Sequence, residues 1–298
     1  MIQSTTTPKI QGLFNGIGQV YFSSSLYSSV IILIAFTIES APLALMTVFG
    51  GSISHLFSKY SHNITPELTA GLYSLNGALI GLFIGNFFGV SHLLAWGGVA
   101  LGAILTVPIA HCIYQFQTYR GYTSAFVLSG WGLFTVITHF EMMPLAQTSI
   151  TQPVDSSFLS ILFKSISQVA FIENEVTGVL IFAAVLMVSK KSALWMLLAP
   201  FIAATFSTFI GADEALISKG LCGYNAILVS LALLLISQVN WSGILLGVVT
   251  SCLITWVFHQ YQLLPLTAPF ILSTWFVVYC RNRLGRYCSI KVQGSDSK

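Results

Sequence analysis

Two glutamines and two threonines occupy matched positions of this chain, and their side chains offer hydrogen-bond donors and acceptors. Gln19 and Gln168 lie in the similar segments IGQVYF and ISQVAF, which are 149 residues apart (168 − 19). Thr123 and Thr267 begin the similar segments TSAFVLSGW and TAPFILSTW, which are 144 residues apart (267 − 123). All four adjoin apolar stretches, where an unpartnered polar group is costly. They therefore line a polar path, or else the glutamines join helices and the threonines bond back to their own helices.

A third pair of segments, GLYSLNGALI and GLCGYNAILV, has the same 149-residue separation (220 − 71). It matches Asn76 with Asn225, and we interpret each amide as tying interrupted backbone to a neighbouring helix. Apolar residues in this pair of segments and in the glutamine-containing pair either pack in a core or form the walls of a path for a flat solute. Those residues are Phe22, Leu75, Leu79, Phe171, Tyr224 and Leu228.

The composition is that of a membrane protein. Of 298 residues, 55% are hydrophobic and only 7% are charged, and the mean hydropathy is +0.83. These values exclude a soluble enzyme and a disordered chain, because neither can present so little charge to water. The net charge of +3 is too small for a nucleic-acid partner. Long continuous apolar runs exclude an alternating β-barrel, so the sequence predicts an all-α integral membrane protein.

Ten transmembrane helices are expected, and two further apolar stretches, 10–19 and 158–168, have only half the length of a span. The predicted spans are 26–38, 41–57, 68–88, 93–113, 124–140, 176–188, 193–210, 216–236, 241–258 and 268–279. The matched segments divide them into two five-helix repeats, 1–149 and 150–298, each with a half-membrane helix. Five is an odd number, so the second repeat is inverted relative to the first, and a substrate path is expected between them.

The basic residues predict the orientation. With both termini inside the cell, ten lysines and arginines fall on the inner face and two on the outer face, a strong positive-inside bias. The inner residues are Lys9, Lys59, Arg120, Lys190, Lys191, Arg281, Arg283, Arg286, Lys291 and Lys298, and the outer ones are Lys164 and Lys219. The acidic residues on the outer face are Glu39, Glu141, Asp155, Asp213 and Glu214. Short loops and the lack of a cleavable signal favour a multi-pass protein of the inner (plasma) membrane.

Enzyme and metal chemistry find no support in the sequence. There is no nucleotide-binding loop and no hydrolase or metalloprotease motif. The six histidines lack metal-ligand spacing and the five cysteines include no CxxC pair, so no metal and no cofactor is expected. Glu173 and Glu175 are the only carboxylates close to a repeated segment, and they keep open a proton- or sodium-coupled transporter of another small polar solute, such as an amide or ammonia. A membrane scaffold or sensor without transport is the third class considered.

The repeated segments resemble those of the urea transporter family. The resemblance rests on the GQVxF-type segments, on GLYSLNGALIG with its partner GLCGYNAILV, and on LPLTAPFILSTW, and it covers roughly residues 11–285. It implies a passive, channel-like transporter of urea with ten spans, two inverted repeats, and a homotrimeric assembly with one pore in each subunit. One departure is Leu75, which stands where the family usually has an aromatic residue.

The resemblance also implies roles for single residues. Gln19 and Gln168 would hydrogen-bond urea at the ends of the half-helices, and Thr123 and Thr267 would mark a central constriction. Two flat apolar slots would flank it, one formed by Phe22, Leu75 and Leu79, the other by Val169, Tyr224 and Leu228, with Phe171 matching Phe22. Urea is planar, neutral and rich in N–H donors, so slots and oxygens would select it by shape and hydrogen bonding.

Overall fold

The computed structural model describes residues 8–62, 65–116, 120–146, 157–236 and 239–295, and over these ranges the secondary structure is helical, without strands. The helices are α1 (Pro8–Gln19), α2 (Leu26–Glu39), α3 (Ala41–His62), α4 (Pro66–Thr69), α5 (Leu72–Phe88), α6 (Leu93–Tyr114), α7 (Ser124–His139), α8 (Phe158–Gln168), α9 (Glu175–Leu186), α10 (Lys190–Phe209), α11 (Glu214–Ser218), α12 (Tyr224–Leu234), α13 (Trp241–Gln260) and α14 (Ala268–Ser295). Asp155, Lys298 and both chain ends, which entered the predicted orientation, lie outside the described residues.

The helices of the described residues confirm the all-α class, and several of them are candidates to cross a membrane. Four helical segments of the described residues are long and apolar enough to cross a bilayer, namely Ala41–Ser61, Leu93–Tyr114, Lys190–Phe209 and Trp241–Gln260. Large apolar side chains such as Leu93, Met187 and Phe209 are exposed on the helix surfaces, as a lipid environment requires. The other predicted spans coincide with shorter apolar helices or with α14, so the ten-span count stays a prediction.

Each predicted half-helix is a separate short helix. α1 has 12 residues and α8 has 11, so at 1.5 Å per residue each is roughly half as long as the ~30 Å hydrocarbon core is thick. They end at Gln19 and Gln168, as the sequence predicts. Three residues later the backbone turns sharply, since Phe22 and Phe171 adopt the left-handed region with φ of 56° and 61°.

Two predicted continuous spans, 68–88 and 216–236, are interrupted in the structure. Gly71 separates α4 from α5 and Gly220 follows α11, with positive φ values of 83° and 75°. The half-helices explain both breaks, because a Cβ on Gly71 would lie 2.5 Å from the nitrogen of Gly16 in α1, and a Cβ on Gly220 would collide with the nitrogen of Ser165 in α8. The hydropathy pattern could not reveal this contact, because the segments on both sides of each glycine are apolar.

The two halves of the chain meet through matched helices. Among the described helices, α2 packs against α9 and α7 packs against α14, and the other helix pairs lie within one half. Outside the helix pairs, the Tyr21 hydroxyl donates to the carbonyl of Ile166, 3.0 Å away, and this hydrogen bond links the turn after α1 to α8. The ends of both half-helices therefore lie where the halves join.

We predict that Gly220→Ala destabilises the protein more than Gly211→Ala. Both glycines have left-handed backbone, with φ of 75° and 71°, so both substitutions cost about 1–2 kcal/mol of conformational strain. A Cβ at 211 meets open space, whereas at 220 it meets the backbone of α8, which adds a further ~1–3 kcal/mol. Unfolding in increasing concentrations of a denaturing detergent measures the difference in the free energy of unfolding. Equal decreases for the two variants would contradict the packing argument.

Candidate solute path

The paired threonines meet at the centre of the structure. Thr123 Oγ1 and Thr267 Oγ1 are 2.7 Å apart and share a hydrogen bond, although the residues are 144 positions apart in the chain. Both are buried, with exposed fractions of 5% and 1%. They lie immediately before α7 and α14, so the first turns of these two helices face each other across the join.

Two asparagines leave these threonines free to face each other. A residue at the start of a helix commonly uses its side chain to accept a hydrogen bond from the first turn, but Thr123 makes no such bond. Asn76 supplies the acceptor instead, since its Oδ1 accepts from the Phe126 nitrogen at 2.9 Å. Asn225 Oδ1 accepts in the same way from the Phe270 nitrogen at 3.2 Å. The asparagines therefore tie the segments after the broken spans to α7 and α14, as we interpreted from the sequence.

The turns that carry the threonines are held from the opposite half. Trp131 Nε1 donates to the Leu264 carbonyl at 2.8 Å, and Trp275 Nε1 donates to the Arg120 carbonyl at 3.0 Å. The two bonds are reciprocal, because both donors and both acceptors are 144 residues apart (275 − 131 and 264 − 120). Tyr122 and Leu266, the residues before the threonines, share left-handed φ values of 45° and 44°.

A cavity of about 540 Å³, the main cavity, lies on the side of the second half-helix. Gln168, Phe171 and Tyr224 of the predicted site line it together with Leu266. The remaining lining residues are Asn86, Phe87, Phe134, Leu145, Ala146, Glu173, Lys219, Leu221, His259, Leu264 and Pro265. The main cavity thus combines an amide and a few charged groups with aromatic walls.

Polar groups in the main cavity have defined partners. Gln168 Nε2 donates to the Lys219 carbonyl at 3.1 Å, which fixes the amide at the end of α8. The Glu173 carboxylate forms an ion pair with Lys164 Nζ at 3.8 Å. Glu175, the other carboxylate considered for coupling, accepts from the Ser160 hydroxyl and lies in the first turn of α9, where a helix N-terminus stabilises negative charge.

Aromatic rings lie on both sides of the threonine pair. On one side, which we call the first slot, Phe22 contacts Tyr122 and Phe270 at ring-centroid distances of 6.1 and 6.0 Å. On the other side, the second slot, Phe171 contacts Phe126 at 5.8 Å. Phe270 and Phe126 are themselves 144 residues apart (270 − 126), so each half-helix phenylalanine packs against the helix that follows the opposite threonine.

The two halves exchange a tyrosine for a leucine. Leu75 on α5 corresponds to Tyr224 on α12 (224 − 149), and Tyr122 before the first threonine corresponds to Leu266 before the second (266 − 144). Each half therefore has one tyrosine and one leucine at these two positions. The sequence analysis missed Tyr122 and Leu266, although their signal was available, since they immediately precede the repeated segments that begin at the threonines.

The remaining predicted residues neither line the main cavity nor take part in the ring contacts described above. Leu75 and Leu79 are buried on α5, and Gln19 is half-buried at the end of α1. Val169 and Leu228 are buried in the core and are not part of the lining of the main cavity. The slot roles of Val169 and Leu228 therefore stay predictions.

Residues 159–296 match the urea transporter family model. This part of the chain is therefore similar to members of the urea transporter family. A segment of 98 residues is also 30% identical to urea transporter 1 of Rattus norvegicus, and it covers 33% of this chain and 26% of the rat protein. The chain thus matches about a quarter of the length of that relative. The family match covers Gln168, Tyr224 and Thr267, and the structure places Thr123 of the first half in hydrogen-bond contact with Thr267.

We predict that Tyr122→Leu weakens discrimination by shape in the first slot. The change leaves leucine at both 75 and 122 and removes the ring 5.2 Å from Phe270. Under the transport function proposed below, bulkier relatives of urea, such as dimethylurea, should therefore gain permeability relative to urea. The double variant Leu75→Tyr/Tyr122→Leu reproduces the arrangement of the second slot and should restore the ratio. Light scattering from proteoliposomes measures both permeabilities, and a ratio unchanged in Tyr122→Leu would contradict this role.

Proposed function

We propose that the protein is a passive, channel-like urea transporter with a narrow, uncharged path between its two halves. The path runs from the main cavity past Gln168 and Phe171, alongside the hydrogen-bonded pair of Thr123 and Thr267, and through the first slot to Gln19. The observation that carries the proposal is the threonine pair, because two hydroxyls from opposite halves meet between two aromatic slots. The family match of residues 159–296 supports urea as the solute.

The helix ends that meet along this path suit a neutral solute with donors and acceptors. The half-helices end at Gln19 and Gln168, and the last carbonyls of a helix carry partial negative charge. α7 and α14 begin at the threonines, and helix N-termini carry partial positive charge. The opposed partial charges offset each other. Urea has N–H donors for the carbonyls and glutamine oxygens and a carbonyl oxygen for the threonine hydroxyls.

Ions are excluded by the same design. An ion that leaves water for a narrow apolar slot loses its hydration without a compensating charge, whereas urea exchanges one set of hydrogen bonds for another. Several weak positions along a path permit a solute to leave as readily as it binds. The slots add selection by shape, since a planar molecule fits between Phe171 and Tyr224 in a way that a tetrahedral solute does not.

The alternative is a transporter coupled to protons or sodium ions, and one observation favours testing it. Glu173 lines the main cavity, where a titratable or cation-binding carboxylate would have access to the solute. Its ion pair with Lys164 and the polar contacts of Glu175 give both carboxylates a structural role instead. We therefore favour the passive mechanism.

The proposal includes the architecture that the sequence predicts. The matched asparagine caps, the reciprocal tryptophan bonds and the paired left-handed residues support two inverted repeats, 1–149 and 150–298. Exposed apolar side chains support contacts with membrane lipid and with further copies of the chain in a homotrimer. The basic residues support both termini in the cytoplasm and insertion in the inner membrane. Native mass spectrometry from lipid nanodiscs tests the trimer.

Stopped-flow flux into proteoliposomes tests the mechanism. A urea gradient alone should drive flux at a rate that neither a proton gradient nor a sodium gradient changes. A rate that follows either ion gradient would favour the coupled transporter, and no flux above that of empty liposomes would leave a scaffold or sensor.

Gln168→Leu and Thr267→Val should each reduce urea permeability by about tenfold, the effect of losing a hydrogen bond worth about 1.4 kcal/mol along the path. Thr250→Val is the matched control for the threonine, because the Thr250 hydroxyl bonds back to the Leu246 carbonyl on an exposed helix face. The control should retain the original rate. Unchanged flux in both path variants, with normal reconstitution, would refute the site assignment.

A further inference from the structure

An apolar groove of about 480 Å³, the α6–α14 groove, lies at the surface between the C-terminal end of α6 and the middle of α14. Apolar and aromatic side chains make up its whole lining. The lining residues are Ile113, Phe116, Leu272, Trp275, Phe276 and Tyr279. Phe116, Leu272, Phe276 and Tyr279 are exposed by 43–68%, so the groove is open along its length to whatever surrounds the protein.

The groove exists because two helices diverge. Among the described helices, α6 and α14 do not pack against each other. The Trp275 indole reaches from α14 to the turn before α7, where its Nε1 donates to the Arg120 carbonyl at 3.0 Å. The chain therefore leaves a furrow between the end of α6 and the aromatic face of α14.

The α14 side of the groove is a continuous stripe that ends in a positive charge. Leu272, Trp275, Phe276 and Tyr279 follow the i, i+3, i+4, i+7 spacing of one helix face. Arg283 is one turn further along this face. The stripe from Leu272 to Arg283 is 11 residues long (283 − 272), or about 16 Å at 1.5 Å per residue. This length is about half the ~30 Å thickness of the hydrocarbon core, the depth of one lipid leaflet.

Arg283 is held at the end of the groove by Tyr279. Its Nε donates to the Tyr279 hydroxyl at 3.1 Å, and its guanidinium carbon lies 5.3 Å from the centre of the Tyr279 ring, within the range of a cation–π contact. In the described part of the chain, no carboxylate forms an ion pair with Arg283 or with Arg120. The groove thus ends at positive charge that these residues do not neutralise.

The corresponding place in the first half has neither the stripe nor the arginine. The counterparts of Trp275, Phe276, Tyr279 and Arg283, 144 positions earlier, are Trp131, Gly132, Thr135 and His139. The Trp131 ring there stacks on Phe258 at 6.2 Å. The combination of apolar furrow and arginine therefore belongs to one of these two places, on the side of the membrane where the basic residues predict the cytoplasm.

The cytoplasmic leaflet contains molecules of matching chemistry. Anionic phospholipids give this surface its negative potential and are attracted by basic residues, and tyrosine and tryptophan favour the level of the lipid headgroups. We propose that the α6–α14 groove binds an anionic phospholipid, with an acyl chain along Leu272 and Phe276 and the phosphate at Arg283. The arginine favours a lipid over a second copy of the chain, because a guanidinium enclosed in a protein interface without an opposite charge is costly.

Competition between two lipids tests the headgroup site. The full chain is delipidated in detergent and incubated with dioleoylphosphatidylglycerol or dioleoylphosphatidylcholine, and native mass spectrometry counts the lipids retained. The acyl chains are the same, so the ratio of the two isolates the headgroup. The original protein should favour phosphatidylglycerol. Arg283→Gln should lower the ratio about fivefold, the contribution of one basic residue near a membrane surface. Lys190→Gln, at an exposed lysine of the same predicted face, is the matched control and should keep the ratio.

Leu272→Trp tests the acyl-chain site, because a bulkier side chain occupies the furrow. Retention of both lipids should fall several-fold, whereas Leu246→Trp, at an α13 leucine with the same 43% exposure, should retain them. Equal retention of the two lipids by the original protein, or an equal loss in Arg283→Gln and Lys190→Gln, would overturn the site. A change in oligomeric state in Leu272→Trp with lipid retention intact would also overturn it, because the groove would then be a contact between copies. None of these outcomes depends on urea flux, so the lipid site and the proposed function stand or fall separately.

Discussion

The capping of two helices by asparagines from neighbouring segments is the constraint on which the rest of the site depends. α7 and α14 begin in the buried centre, where their first N–H groups need acceptors. Asn76 and Asn225 provide them, so the residue at each helix start does not have to. Thr123 and Thr267 can then direct their hydroxyls toward each other. This pair forms the polar centre of the proposed path.

The half-helices and the broken spans depend on each other in the same way. α1 and α8 approach so closely that only glycine fits at positions 71 and 220, and the left-handed backbone there sets the start of α5 and α12. Those helices carry Asn76 and Asn225. A close backbone contact in each half therefore positions the caps, the caps position α7 and α14, and these helices bring together residues from the two ends of the chain.

The two halves share a framework but differ in the side chains that fill it. The halves exchange Leu75 and Tyr122 for Tyr224 and Leu266, which keeps one tyrosine and one leucine at these positions in each half. Tyr224 uses its hydroxyl to hold the Leu266 carbonyl at 2.6 Å, a bond that leucine at position 75 cannot form. Such differences give the two ends of the proposed path distinct faces.

The sequence by itself determined the membrane class, the ends of both half-helices and the matched residues, because hydropathy and repetition are properties of the linear chain. Thr123 and Thr267 were singled out by their matched positions in repeated segments. Tertiary structure decided how these residues are arranged: the threonines meet, Gly71 and Gly220 break apolar segments that hydropathy cannot divide, and Tyr122 packs against Phe22. Contacts between residues more than a hundred positions apart depend on how helices pack, and local pattern carries no information about that packing.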